Sequence, residues 1–568
     1  MIFKRSKYLF LILIFATFCR KPADILEVEE EPVVNFSDEA GAYSESQKVI
    51  TLSAPKGHSI YYTKDGSIPT TESQLYSNPI ILTEEGNRWV NKSAVDKMAI
   101  KFRRHLINPI SVTSELPSAN IIRAIAVAPD GTPSKVVTKT YFIGADLRED
   151  YDNIMVVSIA TDPENLLDHE KGILATGKIF DEWSNTAEAT AVMANNEWWK
   201  VVANYTQKGK DWERPISIEF FDNSNSLSHQ QDAGLRLKGR ASRMFEQKSF
   251  NIYFRESYGE KGLSYPVFPG FPVKSFSLRN GGNDTEYLKF KDSWIQSRLR
   301  DKAFSTQIGR ISVVFLNGEY WGHYSLEERY DDRYIKNHYG VKDPLIIKEG
   351  EVEEGQDSDI QLYKDLILFA DKDLSNESEW QAFKKVMDIR SMADYFAAEI
   401  YIGNADWKQD VNTELWRSVS VDPSNHYEDG RWRFILYDTE YSSAQYEQEE
   451  THVSFDSFSK AMKDHPLFAA AVRNAEFQAL FKESILDISD RCFDPEDVEA
   501  DLKEWEEEWL PYMPDYYKRF EDTSWAWRKY MNLTTSFFGD RASHILPAVE
   551  KGLSEAIQDK EDTAGGAS

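Results

Sequence analysis

A short apolar run, Trp432-Arg433-Phe434-Ile435-Leu436-Tyr437, ends directly on Asp438-Thr439-Glu440. The run reads as a buried strand. Upstream, Met392 to Ile402 carries apolar residues on a helical period. That helix opens into Asn404-Ala405-Asp406-Trp407-Lys408-Gln409-Asp410-Val411-Asn412, followed by Leu415-Trp416-Arg417. The chain thus sets one acid six positions before an amide and a second acid at the end of a later strand. Phosphoryl transfer from a nucleotide uses such parts: one carboxylate orients the attacking hydroxyl, while an amide and an acid hold the magnesium that neutralises the phosphates. Loop caps and strand ends use the same residue types, so the pattern alone does not decide between the two.

Composition narrows the field. The 568 residues suffice for several domains or for one large domain with an appendage, and 41 % hydrophobic with 13 % aromatic content can build a packed core. The formal charge of −28 argues against a nucleic-acid partner, which would draw on clustered Lys and Arg. It suits either the steering of a basic substrate or plain solubility. Cys19 and Cys492 are the two cysteines, and Cys19 lies in an export-like start, so no internal disulfide framework is expected. Neither the cysteines nor the 10 histidines are spaced as a zinc site.

Residues 1–19 carry a basic start (Lys4, Arg5, Lys7) and an apolar run from Tyr8 to Phe18, too short to span a bilayer comfortably. Cys19 follows at once, as at a bacterial lipoprotein attachment site, although Phe18 replaces the usual small residue before it. A plain cleaved signal peptide and a permanent anchor are the other readings, and all three place the protein outside the cytoplasm. Residues 20–47 read as an acidic tether. From 48 to 144 the chain reads as all-β, with turns at Asp65-Gly66-Ser67 and Pro129-Asp130-Gly131. The string Tyr61-Tyr62-Thr63-x-Asp65-Gly66-Ser67-x-Pro69-Thr70, with Tyr76, Pro79-Ile80 and Arg123-Ala124, resembles the sandwich domain appended to chitobiases and β-hexosaminidases. That resemblance implies an accessory domain, with glycan contact as one use for it. The stretch from Thr83 to Ser118 interrupts the pattern as an elaborated loop.

A new unit starts near Asp150. Strands are expected at 154–159, 214–221, 233–240, 248–254 and 275–280, the last four as an antiparallel sheet. The ordered set Gly234-Leu235-Arg236-Leu237-Lys238-Gly239-Arg240-Ala241-Ser242, Lys248-Ser249-Phe250, Leu278-Arg279-Asn280, Asn317-Gly318-Glu319-Tyr320-Trp321-Gly322, Glu328, Asn404-Ala405-Asp406-Trp407 and Tyr437-Asp438 resembles the CotH family of atypical secreted protein kinases. It implies an α+β chain: an atypical kinase-like fold over 150–555 with a helical C-terminal part, preceded by the all-β sandwich and followed by a disordered tail at 556–568. It also implies ATP with Mg²⁺ or Mn²⁺, and a protein substrate phosphorylated on Ser, basic and Ser-rich by charge complementarity.

Residue by residue, the resemblance makes Asp406 the catalytic acid that orients the hydroxyl. Asp438, Asn412 and Glu440 become metal ligands, with Asp410 a rival to Asn412. Protein kinases set the corresponding Asp and Asn five positions apart, so the interval of six here is a likeness of kind. Lys248, Arg240, Ser242 and Glu328 fall at the nucleotide. A sheet-edge role for Lys248 and a structural salt bridge for Glu328 stand beside those assignments. Beyond Asp456, helices are expected at 466–481, 495–510 and 536–551, with Trp505, Trp509, Trp525 and Trp527 as core and Arg541 closing the domain. The reading from a different class is a surface adhesion or carbohydrate-binding protein on an inactive kinase-like scaffold.

Overall fold

The expected strands between residues 154 and 280 form, but they do not stop at an open sheet. In the computed structural model, which describes residues 34–98, 110–520 and 525–565, seven strands close into a barrel. They are β1 (Met155–Ala160), β2 (Arg214–Asp222), β3 (His229–Lys238), β4 (Ser249–Tyr253), β5 (Ser275–Arg279), β6 (Gly309–Leu316) and β7 (Glu319–Glu328). Their order is β1-β2-β3-β4-β5-β7-β6, and β1 closes the circle by pairing parallel to β6. The β6–β7 hairpin places β6 beside β1; its Asn317-Gly318 turn has positive φ at both residues, the geometry that matches strand twist. A second antiparallel sheet, in the order β9-β8-β10-β11, joins β8 (Pro344–Lys348), β9 (Glu351–Glu354), β10 (Glu414–Ser418) and β11 (Arg433–Ile435).

Helices complete the mixed α+β architecture. Those that position the site are α1 (Lys291–Arg298), α2 (Ile389–Ile402) and α3 (Trp525–Gly565). The segment expected as one helix at 466–481 is two, Pro466–Val472 and Ala475–Asp487, because Asn474 caps the second through the backbone N–H groups of Glu476 and Phe477. Trp509 and Trp527 are buried as core. Arg541 of α3 is fully buried and donates to the carbonyls of Ile400 and Tyr401, fixing the last turn of α2. α3 runs on to Gly565, into the stretch read as a disordered tail, where Ala, Glu, Gln and Lys favour helix. Among the described residues no helix is long and apolar enough to cross a membrane. The start segment with Cys19 lies outside the described residues.

The N-terminal unit is β-rich. A five-stranded sheet faces the pair Gln47–Ile50 and Ile80–Thr83, and Ile50, Ile60, Leu82, Ile122 and Tyr141 fill the space between. Buried Arg123 donates to the Gly66 carbonyl at 2.7 Å, which ties the Asp65-Gly66-Ser67 turn to the sheet. The described residues of the elaborated loop, however, pack against the other unit. Val90, Ala94, Met98, Leu116 and Ala119 pack into the large core with the barrel. Trp89 stacks on Trp321 at 5.3 Å, and Glu319 accepts the backbone N–H groups of Trp89 and Val90. Phe142 meets Phe221 and Phe315 edge-on. The two units therefore share a junction that cannot be removed without exposing apolar surface. A chain starting near Asp150 will unfold at a temperature lower by more than about 5 °C than the full chain. Equal melting of the two by calorimetry would contradict this.

Glu219 of β2 sits in that junction, 1 % exposed. Its carboxylate accepts the Thr140 hydroxyl, which lies 2.8 Å from the Ser158 hydroxyl. Burial pushes its pKa up to about 7. The folded chain then keeps this proton to higher pH than the unfolded one, so the stability it contributes is full at acid pH and is lost as pH rises through 7. The loss is about 3 kcal/mol at 1.36 kcal/mol per pKa unit. Urea unfolding at pH 5 and pH 8 will show wild type losing about that much more than Glu219→Gln. The same loss in both proteins would remove Glu219 as the cause.

Candidate active site

Strand alternation builds the upper wall of the site. Leu235, Leu237, Phe250, Ile252, Phe276 and Leu278 point to one side of β3, β4 and β5 and are buried in the core. The residues between them put polar groups on the other side. Arg236 is opposite Asn251, Asn251 opposite Ser277, and Ser277 opposite Glu327; Arg279 is opposite Ser325. Lys238 lies on this polar face with its ammonium 3.5 Å from Glu327. The β8–β9 hairpin is clasped to the same face by ion pairs of Arg240 with Glu349, Arg329 with Glu353, and Lys274 with Glu354.

Two loops build the floor. α2 ends on Gly403, whose left-handed φ of 68° turns the chain out of the helix. Asn404 then donates to buried Glu399 at 3.0 Å and accepts the Asp406 N–H. Burial pushes the Glu399 carboxyl up to about 8. Trp407 is buried, donates to Tyr395, and lies tilted against His465 with ring centroids 3.9 Å apart. Asp406 is exposed between buried Ala405 and Trp407. The chain doubles back through a Lys408–Val411 bridge, and Asn412 donates to the Asp406 carbonyl at 2.6 Å. Asp410 points elsewhere, taken by the Tyr363 hydroxyl at 2.5 Å.

The second loop leaves β11. Paired hydrogen bonds with Ser305 and the Tyr330 hydroxyl on the Leu436 carbonyl hold its start. Asp438 has φ of 60°, which throws its side chain out of the strand line. Partial desolvation by the surrounding loops raises the pKa of Asp406 although its side chain reaches solvent, and the charge of Asp438 raises it further. The structure thus brings Asp406, Asn412 and Asp438 together.

Arg279 joins wall to floor. It is 5 % exposed, and its guanidinium reaches Asp438 at 2.5 Å, Glu440 at 2.7 Å and Asp292 of α1 at 2.9 Å. Asp292 also accepts the N–H and hydroxyl of Thr439. Glu440 accepts the Asn283 N–H at 3.0 Å, and burial pushes its pKa up to about 8.

The other expected residues divide. Arg240 lies over the floor, where its charge reaches Asp406. The Ser242 hydroxyl occupies the place a Cβ on Gly239 would take, so this loop needs glycine there, at φ of 102°. Lys248 is buried and donates to the carbonyls of Arg243 and Phe245 over the Tyr205 ring, so it staples the loop from behind. Lys238 is the lysine on the polar face. Glu328 points to the opposite side of β7, where it pairs with His338 at 2.9 Å and accepts the Ile308 N–H. Glu327, one residue earlier, is the acid on the polar face, because successive strand side chains alternate.

The donor chemistry fits a hard divalent cation. Asp438 and Asn412 offer oxygen, and Glu440 Oε2 is buried without a hydrogen-bond partner among the described residues. Among those residues no group of three or more His, Cys, Asp or Glu side chains is gathered around a common point as metal ligands. The acids gather around Arg279 instead.

A β-lobe set on a helical lobe, with an acid–amide loop and a strand-end acid between them, defines an atypical kinase-like protein. The chain belongs to the CotH family: the family model described as CotH kinase protein matches residues 235–545, more than half of it. A second model, described as Fn3 associated, matches residues 50–141. No curated protein matches. The first two barrel strands, β1 and β2, lie ahead of the CotH match although the barrel cannot close without them.

Proposed function

We propose that this protein is an exported protein kinase that transfers a phosphoryl group from ATP to a serine hydroxyl of a protein substrate. The observation that carries the reading is the convergence of Asp406, Asn412 and Asp438 beneath the polar face of the barrel. Asp438 and Asn412, with Glu440 behind them, would hold Mg²⁺ or Mn²⁺. That ion would neutralise the nucleotide phosphates. Arg240 and Lys238 place positive charge above the floor. Asp406 accepts the hydrogen bond of the incoming hydroxyl, and its raised pKa makes it a stronger proton acceptor than an ordinary aspartate. Asn412 holds the Asp406 backbone in place.

Exposed acids flank the cleft. Glu351 and Glu353 stand on the hairpin side, and Glu449 and Glu450 on the other, with the charge of Glu450 felt at Tyr441 beside Asp406. They favour a basic, Ser-rich substrate. The start of the chain supports export, with attachment through a lipidated Cys19, and the chitobiase-like string supports glycan contact by the N-terminal unit.

Asp438→Ala will weaken Mg-ATP binding by about tenfold or more, because a metal ligand contacts the ground-state complex. Asp406→Ala will leave binding nearly unchanged and lower kcat by about 10² to 10⁴. Calorimetry with Mg-ATP, beside radiolabelled transfer to basic Ser-rich peptides, reads both. A wild-type protein that binds no nucleotide with Mg²⁺ or Mn²⁺ would sink the kinase reading in favour of adhesion on an inactive scaffold.

A further inference from the structure

Arg279 does more than brace a strand. One nitrogen, Nη2, lies 2.5 Å from Asp438 Oδ1 and 2.7 Å from Glu440 Oε1, between the two carboxylates a divalent cation would bridge. The other, Nη1, lies 2.9 Å from Asp292. We propose that Arg279 is the resident cation of this site. It holds Asp438 and Glu440 in register while no metal is bound, and it keeps a bare divalent ion from binding until nucleotide brings one. This rests on the nucleotide reading above.

Three features carry the inference. First, the guanidinium cannot swing away. It is 5 % exposed, and a Cβ at Gly282 would sit 2.0 Å from Glu440 Oε1 and 2.8 Å from Arg279 Nη2, so the backbone closes on the pair from that side. Second, charge remains unbalanced. Asp292, Asp438 and Glu440 share one guanidinium, and the next cation on the face, Lys238, is paired with Glu327. Glu440 Oε2 stays buried without a hydrogen-bond partner among the described residues. Third, only one of these acids is reachable. The Asp438 side chain is 32 % exposed, against 5 % for Asp292 and 1 % for Glu440. An ion entering from solvent meets Asp438 first, and there it competes with Arg279. A bare ion offers nothing in return for the displaced hydrogen bond, whereas an ion carried on a triphosphate brings phosphate oxygens that Arg240 and Lys238 can receive.

The test measures Mn²⁺ binding by the electron paramagnetic resonance of the free ion, with and without ATP, in wild type, Arg279→Gln and Arg279→Lys. Without nucleotide, Arg279→Gln will bind Mn²⁺ at least tenfold more tightly than wild type. Arg279→Lys, which keeps the charge but not the fork that spans the acids, will gain about threefold. Thermal unfolding will show the Gln variant weakened without metal and restored by Mn²⁺ more than wild type is. A merely structural arginine would lower the melting temperature and leave Mn²⁺ affinity where it was, which overturns the inference. If Arg279→Gln does not fold, a Lys variant no tighter than wild type overturns it equally. If wild type takes up Mn²⁺ with ATP and neither variant gains affinity for bare Mn²⁺, the cation role falls and the nucleotide reading stands. If the variants gain it and no protein binds ATP, the cation role stands and the nucleotide reading falls.

Discussion

A single buried guanidinium holds the site together. Arg279 comes from a barrel strand, Asp292 from the helix that follows it, and Asp438 and Glu440 from a loop more than 150 residues later. Burying charge is costly, and removing one partner of a buried pair typically costs about 3 to 5 kcal/mol because the other is left uncompensated. The arrangement persists because all three acids reach the one guanidinium. Against the upward push of burial, Arg279 holds Asp292 below the ordinary carboxylate range. The barrel and the acidic floor are thus one electrostatic unit.

Strand periodicity decides which side chains join that unit. A shift of one residue along a strand moves a side chain to the other face. Glu327 and Lys238 therefore meet on the polar face, while Glu328 turns to His338. The loop between β3 and β4 is likewise fixed from behind. Arg243 donates to the carbonyls of Thr206 and Gln207, and Lys248 lies over Tyr205. These contacts come from the long connection between β1 and β2, which lies outside the CotH match.

The sequence carried the local features well. The helix before Asn404, the apolar strand before Asp438 and the first five strands of the barrel show their periods directly, and the α+β class came with the family resemblance. Barrel closure was not legible, since the parallel β1–β6 pairing joins segments about 150 residues apart. Asp406, Asn412 and Asp438 could be named because an acid, an amide six positions on and a second acid after an apolar strand form a recognisable order, which the family resemblance gave roles. Arg279 could not be given a role, because its importance depends on three acids brought to it from elsewhere. The choice between Lys238 and Lys248 was within reach: Lys238 alternates with Leu237 and Leu235, and counting that period places it on the polar face. The Asp410 alternative needed the position of Tyr363, which no local pattern gives. The segment from Thr83 to Ser118 looked like an insertion in the N-terminal unit, yet Val90, Ala94, Met98 and Leu116 pack into the core with the barrel.

The central claim is that the polar barrel face and the two floor loops form one nucleotide cleft. Hydrogen–deuterium exchange of the full chain, with and without Mg-ATP, tests it most directly. The account predicts slowed exchange together at 236–244, 404–412 and 437–443, with the strands at 47–83 unchanged. Protection confined to the N-terminal unit, or none at the two floor loops while ATP is bound, would contradict it.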